Sequence, residues 1–124
     1  MNDKRFYRGN IFFARLEDKG GSIEFGHRPV LIVQNNKGNE NGPTLICVPI
    51  TFRIKKEWMP VHVLLQPSGD LRPSMVLCEQ ILTINKSDMG DYLTHLDDQA
   101  MSKVDEALAI SVGLKKPDNC SALM

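Results

Sequence analysis

Apolar residues along the chain come in short runs that have the length and composition of buried β-strands. Residues 29–34 (PVLIVQ) and 44–50 (TLICVPI) are nearly continuous and rich in β-branched side chains, which indicates central strands covered on both faces. Similar runs predict further strands at residues 11–16, 61–66, 75–84 and 92–96. Glycine, proline and asparagine between the runs predict a long loop at 17–27 and turns at 35–43 and 67–73.

Helical periodicity is clear only near the C-terminus. An apolar face follows the i, i+3, i+7 spacing through Met101, Val104, Ala107 and Leu108 to Ser111 or Val112. Asp97 or Asp98 supplies an N-cap for this helix and Gly113 supplies its stop, while Ser87 is expected to cap one earlier helical turn. Several strands followed by one helix predict an α+β fold that is mainly β, with a mostly antiparallel sheet.

Composition and charge narrow the possible roles. The 124 residues are 42% apolar and fit one domain, which we place at 1–114, followed by a polar tail at 115–124. Fifteen basic residues balance fifteen acidic ones, which argues against tight non-specific binding to duplex nucleic acid. Residues 1–60 carry a charge of +4 and residues 61–124 a charge of −4, so a positive face can exist on a neutral protein.

Cysteine and histidine usage suggests no metal site. The three cysteines form no CxxC pair and the three histidines are scattered, at Cys47, Cys78, Cys120, His27, His62 and His95. Cys47 and Cys78 lie in apolar runs, where a buried reduced thiol is expected. The odd number of cysteines, the polar start of the chain and the lack of a long apolar stretch predict a cytoplasmic protein without cofactors.

Strand register brings two polar residues together. If the two central runs pair as antiparallel neighbours, Asn35 faces Thr44, facing positions sum to 79, and Arg28 faces Thr51. Directly opposed residues have Cβ atoms about 4.5–5.5 Å apart. A guanidinium matches phosphate and a hydroxyl can donate or accept, so this pair suits a phosphodiester. The alternative is a solvated surface arginine beside an ordinary strand-forming threonine.

Several motifs occur in one order along the chain. They include Arg8-Gly-Asn-Ile-Phe-Phe-Ala, Gly26-His-Arg28-Pro-Val-Leu-Ile-Val-Gln-Asn35, Pro49-Ile-Thr51, Glu79-Gln80-Ile81 and Thr94-His-Leu-Asp-Asp98. In these motifs the chain resembles MazF/PemK-type toxins of toxin–antitoxin pairs, over residues 8–114. The resemblance implies the CcdB/PemK-like toxin fold, a small twisted antiparallel SH3-like barrel or sheet with a C-terminal helix.

The resemblance also implies an activity. Such toxins are metal-independent, sequence-specific endoribonucleases that cleave single-stranded mRNA and arrest growth, leaving a 2′,3′-cyclic phosphate and a 5′-hydroxyl. They are homodimers, their cognate antitoxin occupies the RNA groove, and the toxin–antitoxin complex binds DNA. Matching motifs makes Arg28 and Thr51 catalytic. Because arginine rarely deprotonates, Arg28 is expected to stabilise the charged phosphorane and is a candidate proton donor, whereas the acceptor of the 2′-OH proton stays open between Thr51, a water and the RNA itself.

RNA contacts are expected on the loops around this pair. Aromatic and basic side chains can stack on bases or bind phosphates, and polar side chains can read base edges. The predicted RNA-binding residues are Ser22, Glu24, Phe25, Phe52, Arg53, Lys56 and Gln80. For Phe52 and Trp58 the alternative is packing of their loop onto the core or contact with the antitoxin. Glu79 and Gln80 are expected on opposite faces of one strand, and His27 away from the site.

Two stretches depart from the usual pattern of these toxins. Gly21-Ser-Ile-Glu-Phe-Gly26 replaces Gly-Ser-Glu-Gln-Gly-Gly, and Leu82-Thr-Ile-Asn85 replaces Arg-Thr-Ile-Asp. The first change can alter which base is read, and the second removes an arginine and an acid. Two other functions compete with the nuclease: a gyrase-binding toxin of the CcdB type without nuclease activity, and a barrel adaptor without catalysis.

Overall fold

The computed structural model describes residues 6–117, which contain seven strands and two α-helices. The strands are β1 (Asn10–Leu16), β2 (Gly26–Ile32), β3 (Thr44–Thr51), β4 (His62–Leu65), β5 (Ser74–Leu77), β6 (Leu82–Asn85) and β7 (Met89–His95). The α-helices are α1 (Asn36–Asn41) and α2 (Asp98–Ser111), and a 3₁₀-helix spans Lys86–Asp88. Cys120 and residues 118–124 of the predicted tail lie outside the described residues.

The strands pair antiparallel in the order β4-β5-β3-β2-β1-β7, and β6 also pairs with β3. Between β2 and β3, Val30 faces Pro49 and Ile32 faces Cys47, so the predicted register is confirmed. Cys47 faces Leu82 on its other side, which places β6 on the edge of β3 opposite to β2. β3 is therefore the centre of the sheet, as its uninterrupted apolar run predicts.

Both faces of the central strands are buried, each in a separate core. Alternate residues of β2 and β3 point to opposite faces. One face packs against α2 through Leu31, Val48, Ile50, Met101, Val104 and Ala107. The other face packs within the curved sheet through Phe12, Val30, Ile32, Leu45, Cys47 and Ile84. The mainly antiparallel sheet with a C-terminal helix confirms the predicted fold class.

Helix α2 begins and ends where the sequence predicts. The Asp97 side chain accepts a hydrogen bond from the backbone N–H of Ala100 at 2.8 Å, which identifies Asp97 as the N-cap. Gly113 follows the helix with a φ of +82°, a left-handed conformation that favours glycine. The last buried position is Ile110, three residues after Ala107, whereas Val112 is 57% exposed and does not continue the apolar face.

The prediction of one continuous strand at residues 75–84 is wrong. The segment is two strands, β5 and β6, which follow one edge of β3 and are separated by a turn at residues 78–81. The register shifts by three residues between Val76, which faces Ile50, and Leu82, which faces Cys47. Glu79 and Gln80 therefore lie on a turn and not on two faces of one strand.

Two local predictions need correction. The turn predicted at 35–43 contains the short helix α1, because Asn35 caps it by accepting from the backbone N–H of Gly38 at 2.8 Å. The buried Asn39 side chain also donates to the carbonyl oxygen of Gln34 at 3.0 Å, which fixes the segment. Ser87 is not a cap: it lies inside the 3₁₀-helix Lys86–Asp88, which begins after Asn85.

Candidate active site

Arg28 and Thr51 lie at the same end of two neighbouring strands. The β2–β3 pairing ends at Val30 and Pro49, and Arg28 and Thr51 stand two residues beyond that last pair on their strands. Arg28 shares the face of Val30, and Thr51 shares that of Pro49, because residues two apart in a strand project from one face. Both side chains therefore project from the same face of the sheet.

The Arg28 side chain is held through its Nε atom. Nε donates to the carbonyl oxygen of Phe25 at 2.9 Å and lies 3.7 Å from a carboxylate oxygen of Glu24. The side chain is 42% exposed, so its charge remains accessible to a ligand. A guanidinium bound through Nε keeps its two Nη groups as a fork of donors for a phosphate.

The Thr51 hydroxyl is nearly buried and has one hydrogen-bond partner. Thr51 is 8% exposed, and its Oγ1 accepts from the backbone N–H of Arg53 at 3.0 Å. Met75 of β5 faces Thr51 across the opposite edge of β3. Since the hydroxyl accepts this bond, its own hydrogen is available to donate to a ligand at the strand end.

A groove with a volume of about 470 Å³ lies between the β1–β2 loop, β6 and the turn at 78–81, and neither Arg28 nor Thr51 lines it. Pro49 and Glu24, neighbours of the pair, are part of its wall, and so are both positions of the second departure, Leu82 and Asn85. Acidic side chains outnumber basic ones in the wall: Glu17, Glu24, Glu79 and Asp88 against Arg15 and Lys19. Such a wall disfavours phosphate and suits uncharged groups with hydrogen-bond donors.

The three polar residues predicted to read bases are joined to one another. Gln80 accepts from the backbone N–H of Glu24 at 2.9 Å through Oε1 and donates to the carbonyl oxygen of Ser22 at 3.0 Å through Nε2. Ser22 and Phe25 are exposed on the β1–β2 loop. The sequence placed these residues near the site but contained no sign of the connection between them.

The loop after Thr51 carries the remaining predicted contacts. Phe52 packs against the α2 core, and the guanidinium carbon of Arg72 lies 4.1 Å from the centre of its ring. For Phe52 the packing alternative is therefore the observed one, whereas Trp58 is 59% exposed. Arg53 and Lys56 are exposed, and Lys56 adopts a left-handed φ of 54°.

Arg72 is an exposed basic residue over the Phe52 ring, and the sequence alone did not indicate it as a candidate for binding RNA. It stands two residues before β5, the strand in which Met75 faces Thr51. No carboxylate within residues 6–117 is in ion-pair contact with it. The only sign in the sequence was a basic residue in a predicted turn, which is common on any protein surface.

His27 projects away from Arg28, and the two described cysteines are buried thiols. His27 is exposed and stacks on Phe13 at a centroid distance of 4.7 Å, on the face of β2 opposite to Arg28. Cys47 and Cys78 are buried free thiols, as predicted, and burial raises the pKa of each to about 12. Residues 6–117 contain no group of three His, Cys, Asp or Glu side chains placed to hold a metal ion. Nor does that range contain a helix long and apolar enough to cross a membrane.

Comparison with known proteins identifies the relatives of this chain. Residues 7–112 match the family described as PemK-like, MazF-like toxin of type II toxin–antitoxin system. The chain is 48% identical over 109 residues to Endoribonuclease EndoA of Bacillus subtilis (strain 168), covering 86% of this chain and 94% of the relative.

Solved structures agree with the sequence relatives. An endoribonuclease in complex with its cognate antitoxin from Mycobacterial species matches with a TM-score of 0.76 and 31% identity, over 90% of this chain and 98% of that chain. MazF (Form-I) from Deinococcus radiodurans has the same fold, with a TM-score of 0.75 at 19% identity over 86% and 96% of the two chains. The predicted enzyme class, endoribonuclease, is confirmed, and the two non-nuclease alternatives gain no support. The chain belongs to the PemK-like, MazF-like toxins of type II toxin–antitoxin systems.

Proposed function

We propose that this toxin cleaves single-stranded mRNA at specific sequences, without a metal ion, with Arg28 and Thr51 as its catalytic residues. The observation that supports the proposal is that both residues stand two positions beyond the last β2–β3 pair, Val30 and Pro49, of which Pro49 lines the groove. The 48% identity to Endoribonuclease EndoA supports the activity. RNA supplies its own nucleophile, so the protein needs only to orient the 2′-OH and stabilise charge.

The proposed reaction is a transesterification. The 2′-oxygen forms a bond to phosphorus, the bond from phosphorus to the 5′-oxygen breaks, and the products are a 2′,3′-cyclic phosphate and a 5′-hydroxyl. Arg28 binds the equatorial phosphorane oxygens through its Nη groups, since Nε is occupied by the Phe25 carbonyl. The Thr51 hydroxyl donates to the reacting phosphate. The 2′-OH proton leaves to a base or water, and the departing 5′-oxygen gains a proton.

The charges of the protein surface assign the bases and the phosphates of the RNA to two different surfaces. The acidic wall of the groove favours bases with exocyclic amino groups over phosphates. The exposed cations Arg53 and Lys56, together with Arg28, offer binding positions for the phosphates. Base selection then belongs to the groove, whose wall differs from the usual family pattern at Leu82 and Asn85.

The same surface is the proposed site of protein partners. Ile23, Phe25 and Ile81 are exposed apolar side chains of the β1–β2 loop and of the turn at 78–81, and the first and last belong to the groove wall. Exposed apolar groups beside a polar groove are typical of a surface that another chain covers. A cognate antitoxin and a second copy of this toxin in a cytoplasmic homodimer are the partners we propose. A mycobacterial relative has been solved in complex with its cognate antitoxin.

Incubation of the purified protein with a long single-stranded RNA in EDTA tests the proposal. We expect a few discrete cuts whose 5′ ends accept phosphate from a kinase, and we expect Arg28→Ala to lower the rate by about 10²–10³-fold. Lys103→Ala, which removes an exposed cation of α2, is the matched control and should cut normally. No cleavage by the wild type in EDTA, or equal cleavage by Arg28→Ala, would contradict the proposal.

A further inference from the structure

The turn at residues 78–81 supports two loops of the site. It is closed by a hydrogen bond from the backbone N–H of Gln80 to the carbonyl oxygen of Leu77, at 3.1 Å. The backbone N–H of Cys78 donates to the carbonyl oxygen of Val61 at 3.0 Å, which fastens the turn to the start of β4. The adjacent side chains of Glu79 and Gln80 then extend to different loops.

Gln80 holds the β1–β2 loop by its backbone. The side-chain Oε1 of Gln80 accepts from the backbone N–H of Glu24 at 2.9 Å, and its side-chain Nε2 donates to the backbone carbonyl oxygen of Ser22 at 3.0 Å. Gly20, Gly21 and Gly26 all adopt positive φ in this segment, a conformation that favours glycine. These two bonds join residues 56 and 58 positions apart, so they fix the loop against a distant and rigid part of the sheet.

The same loop positions the Arg28 side chain. The carbonyl oxygen of Phe25 accepts from Nε of Arg28 at 2.9 Å, and the carboxylate of Glu24 lies 3.7 Å from that atom. Gln80 binds the backbone of the very residue that precedes Phe25. A displacement of the loop at Glu24 would therefore move the acceptor that orients the guanidinium.

Glu79 holds the loop on the other side through His62. Nε2 of His62 lies 3.0 Å from the Glu79 carboxylate, and Nδ1 lies 2.8 Å from the carbonyl oxygen of Lys56. Both partners present oxygen atoms to the ring nitrogens. The His62 side chain is 6% exposed, and its partner Lys56 adopts a left-handed φ of 54°.

We propose that Gln80 is a positioning residue for Arg28, acting through the β1–β2 loop, and that it does not read a base. The proposal rests on the proposed function for its effect on catalysis. This role replaces the base-reading role expected from the sequence, because the side-chain oxygen and nitrogen of Gln80 each already bond to the loop backbone. The amide keeps a second N–H and a second lone pair, so a map of the cut sites is needed to separate the two roles.

The test compares Gln80→Met, which keeps the side-chain length without hydrogen-bonding groups, with Gln99→Met in the first turn of α2 as the matched control. The first measurement is hydrogen exchange of the Glu24 amide in the free protein. We expect about tenfold faster exchange in Gln80→Met and no change in Gln99→Met, because one protecting hydrogen bond is lost. Unchanged exchange at Val48 in the buried strand β3 shows that the variant is folded.

The second measurement is cleavage of one defined oligonucleotide and a map of the cut sites. Positioning predicts that Gln80→Met lowers kcat by at least about tenfold with little change in KM and with the same cut sequence. Should Gln80→Met not fold, Gln80→Asn, shorter by one methylene group, withdraws the same groups from the loop.

Unchanged Glu24 exchange, an unchanged kcat or a relaxed preference at one base would each overturn the role of Gln80. Failure of the wild type to cut would instead overturn the proposed function, and the exchange data would still report on the loop.

Discussion

Nε of Arg28 donates to the carbonyl oxygen of Phe25 at 2.9 Å, so the catalytic candidate is oriented by the loop that precedes its own strand. The loop in turn is held by Gln80, from the turn between β5 and β6. The geometry of the site thus depends on contacts between segments that are far apart in the sequence.

Arg28→Lys keeps the positive charge but removes both the Nε donor and the forked Nη groups. We expect it to lower kcat by about 10²-fold while changing KM less than threefold, since the fork matters most in the transition state. Single-turnover and steady-state cleavage of a defined RNA provide the measurement. Full activity of Arg28→Lys would show that charge alone suffices.

Thr51→Val removes the hydroxyl while keeping the shape of the side chain. If the hydroxyl donates to the reacting phosphate, we expect kcat to fall by about 10–10³-fold. Thr44→Val at the other end of β3, roughly 23 Å away along the strand, is the matched control and should cleave normally. Equal kcat values for the two variants would remove Thr51 from the mechanism.

Arg72 lies over the Phe52 ring beside Thr51 and has no acidic partner among residues 6–117, so we expect it to bind an RNA phosphate. Arg72→Ala should raise the Kd for a non-cleavable RNA at low salt and reduce the salt slope of log Kd by about 1. Binding is measured at several salt concentrations, with Lys103→Ala as the control. An unchanged slope in Arg72→Ala would assign Arg72 to packing on Phe52 alone.

The N-cap of α2 offers a test of the fold that is independent of the site. Asp97→Ala should lower the free energy of unfolding by about 0.5–2 kcal/mol, because the Ala100 N–H loses its acceptor. Asp98→Ala, one residue later, keeps that bond and should lose less. Urea unfolding of both variants measures the difference, and equal losses would argue against Asp97 as the cap.

Burial of two thiols predicts a loss of stability at high pH. The pKa of the Cys47 thiol is raised by burial from its ordinary value of 9.0 to about 12, and that of Cys78 by burial and by the nearby Glu79 and Asp105. Above pH 9 the unfolded chain releases these protons and the folded chain does not. Stability is therefore complete below pH 9 and declines as pH rises towards 12, by up to about 1.4 kcal/mol per pH unit for each thiol.

Urea unfolding at pH 8 and pH 10.5 measures this decline, and Cys47→Ala isolates the contribution of Cys47 from that of lysine and tyrosine. We expect Cys47→Ala to lose less stability than the wild type between the two pH values, although it is less stable at both because of the cavity it creates. A parallel decline in both proteins would show that the Cys47 thiol does not contribute.

Much of this fold was predictable because its signals are local. Continuous apolar runs marked β2 and β3 as central strands, and their spacing was enough to predict the register in which Val30 faces Pro49. The i, i+3 spacing and the flanking Asp97 and Gly113 located α2. Arg28 and Thr51 lie two residues beyond the last pair of that register, so their role as a catalytic pair stays a prediction.

Only the tertiary structure decided how the polar side chains are used. An amide such as that of Gln80 has the same hydrogen-bonding groups whether it meets a base or a backbone, so its partners at Ser22 and Glu24 depend on where a distant loop lies. The interruption between β5 and β6 depends on a three-residue register shift that the apolar pattern does not encode. Periodicity and local motifs were enough to predict the central strands β2 and β3, their mutual register, helix α2 and the family. The positions of the polar side chains in the site depend on long-range hydrogen bonds, which form only once the chain has folded.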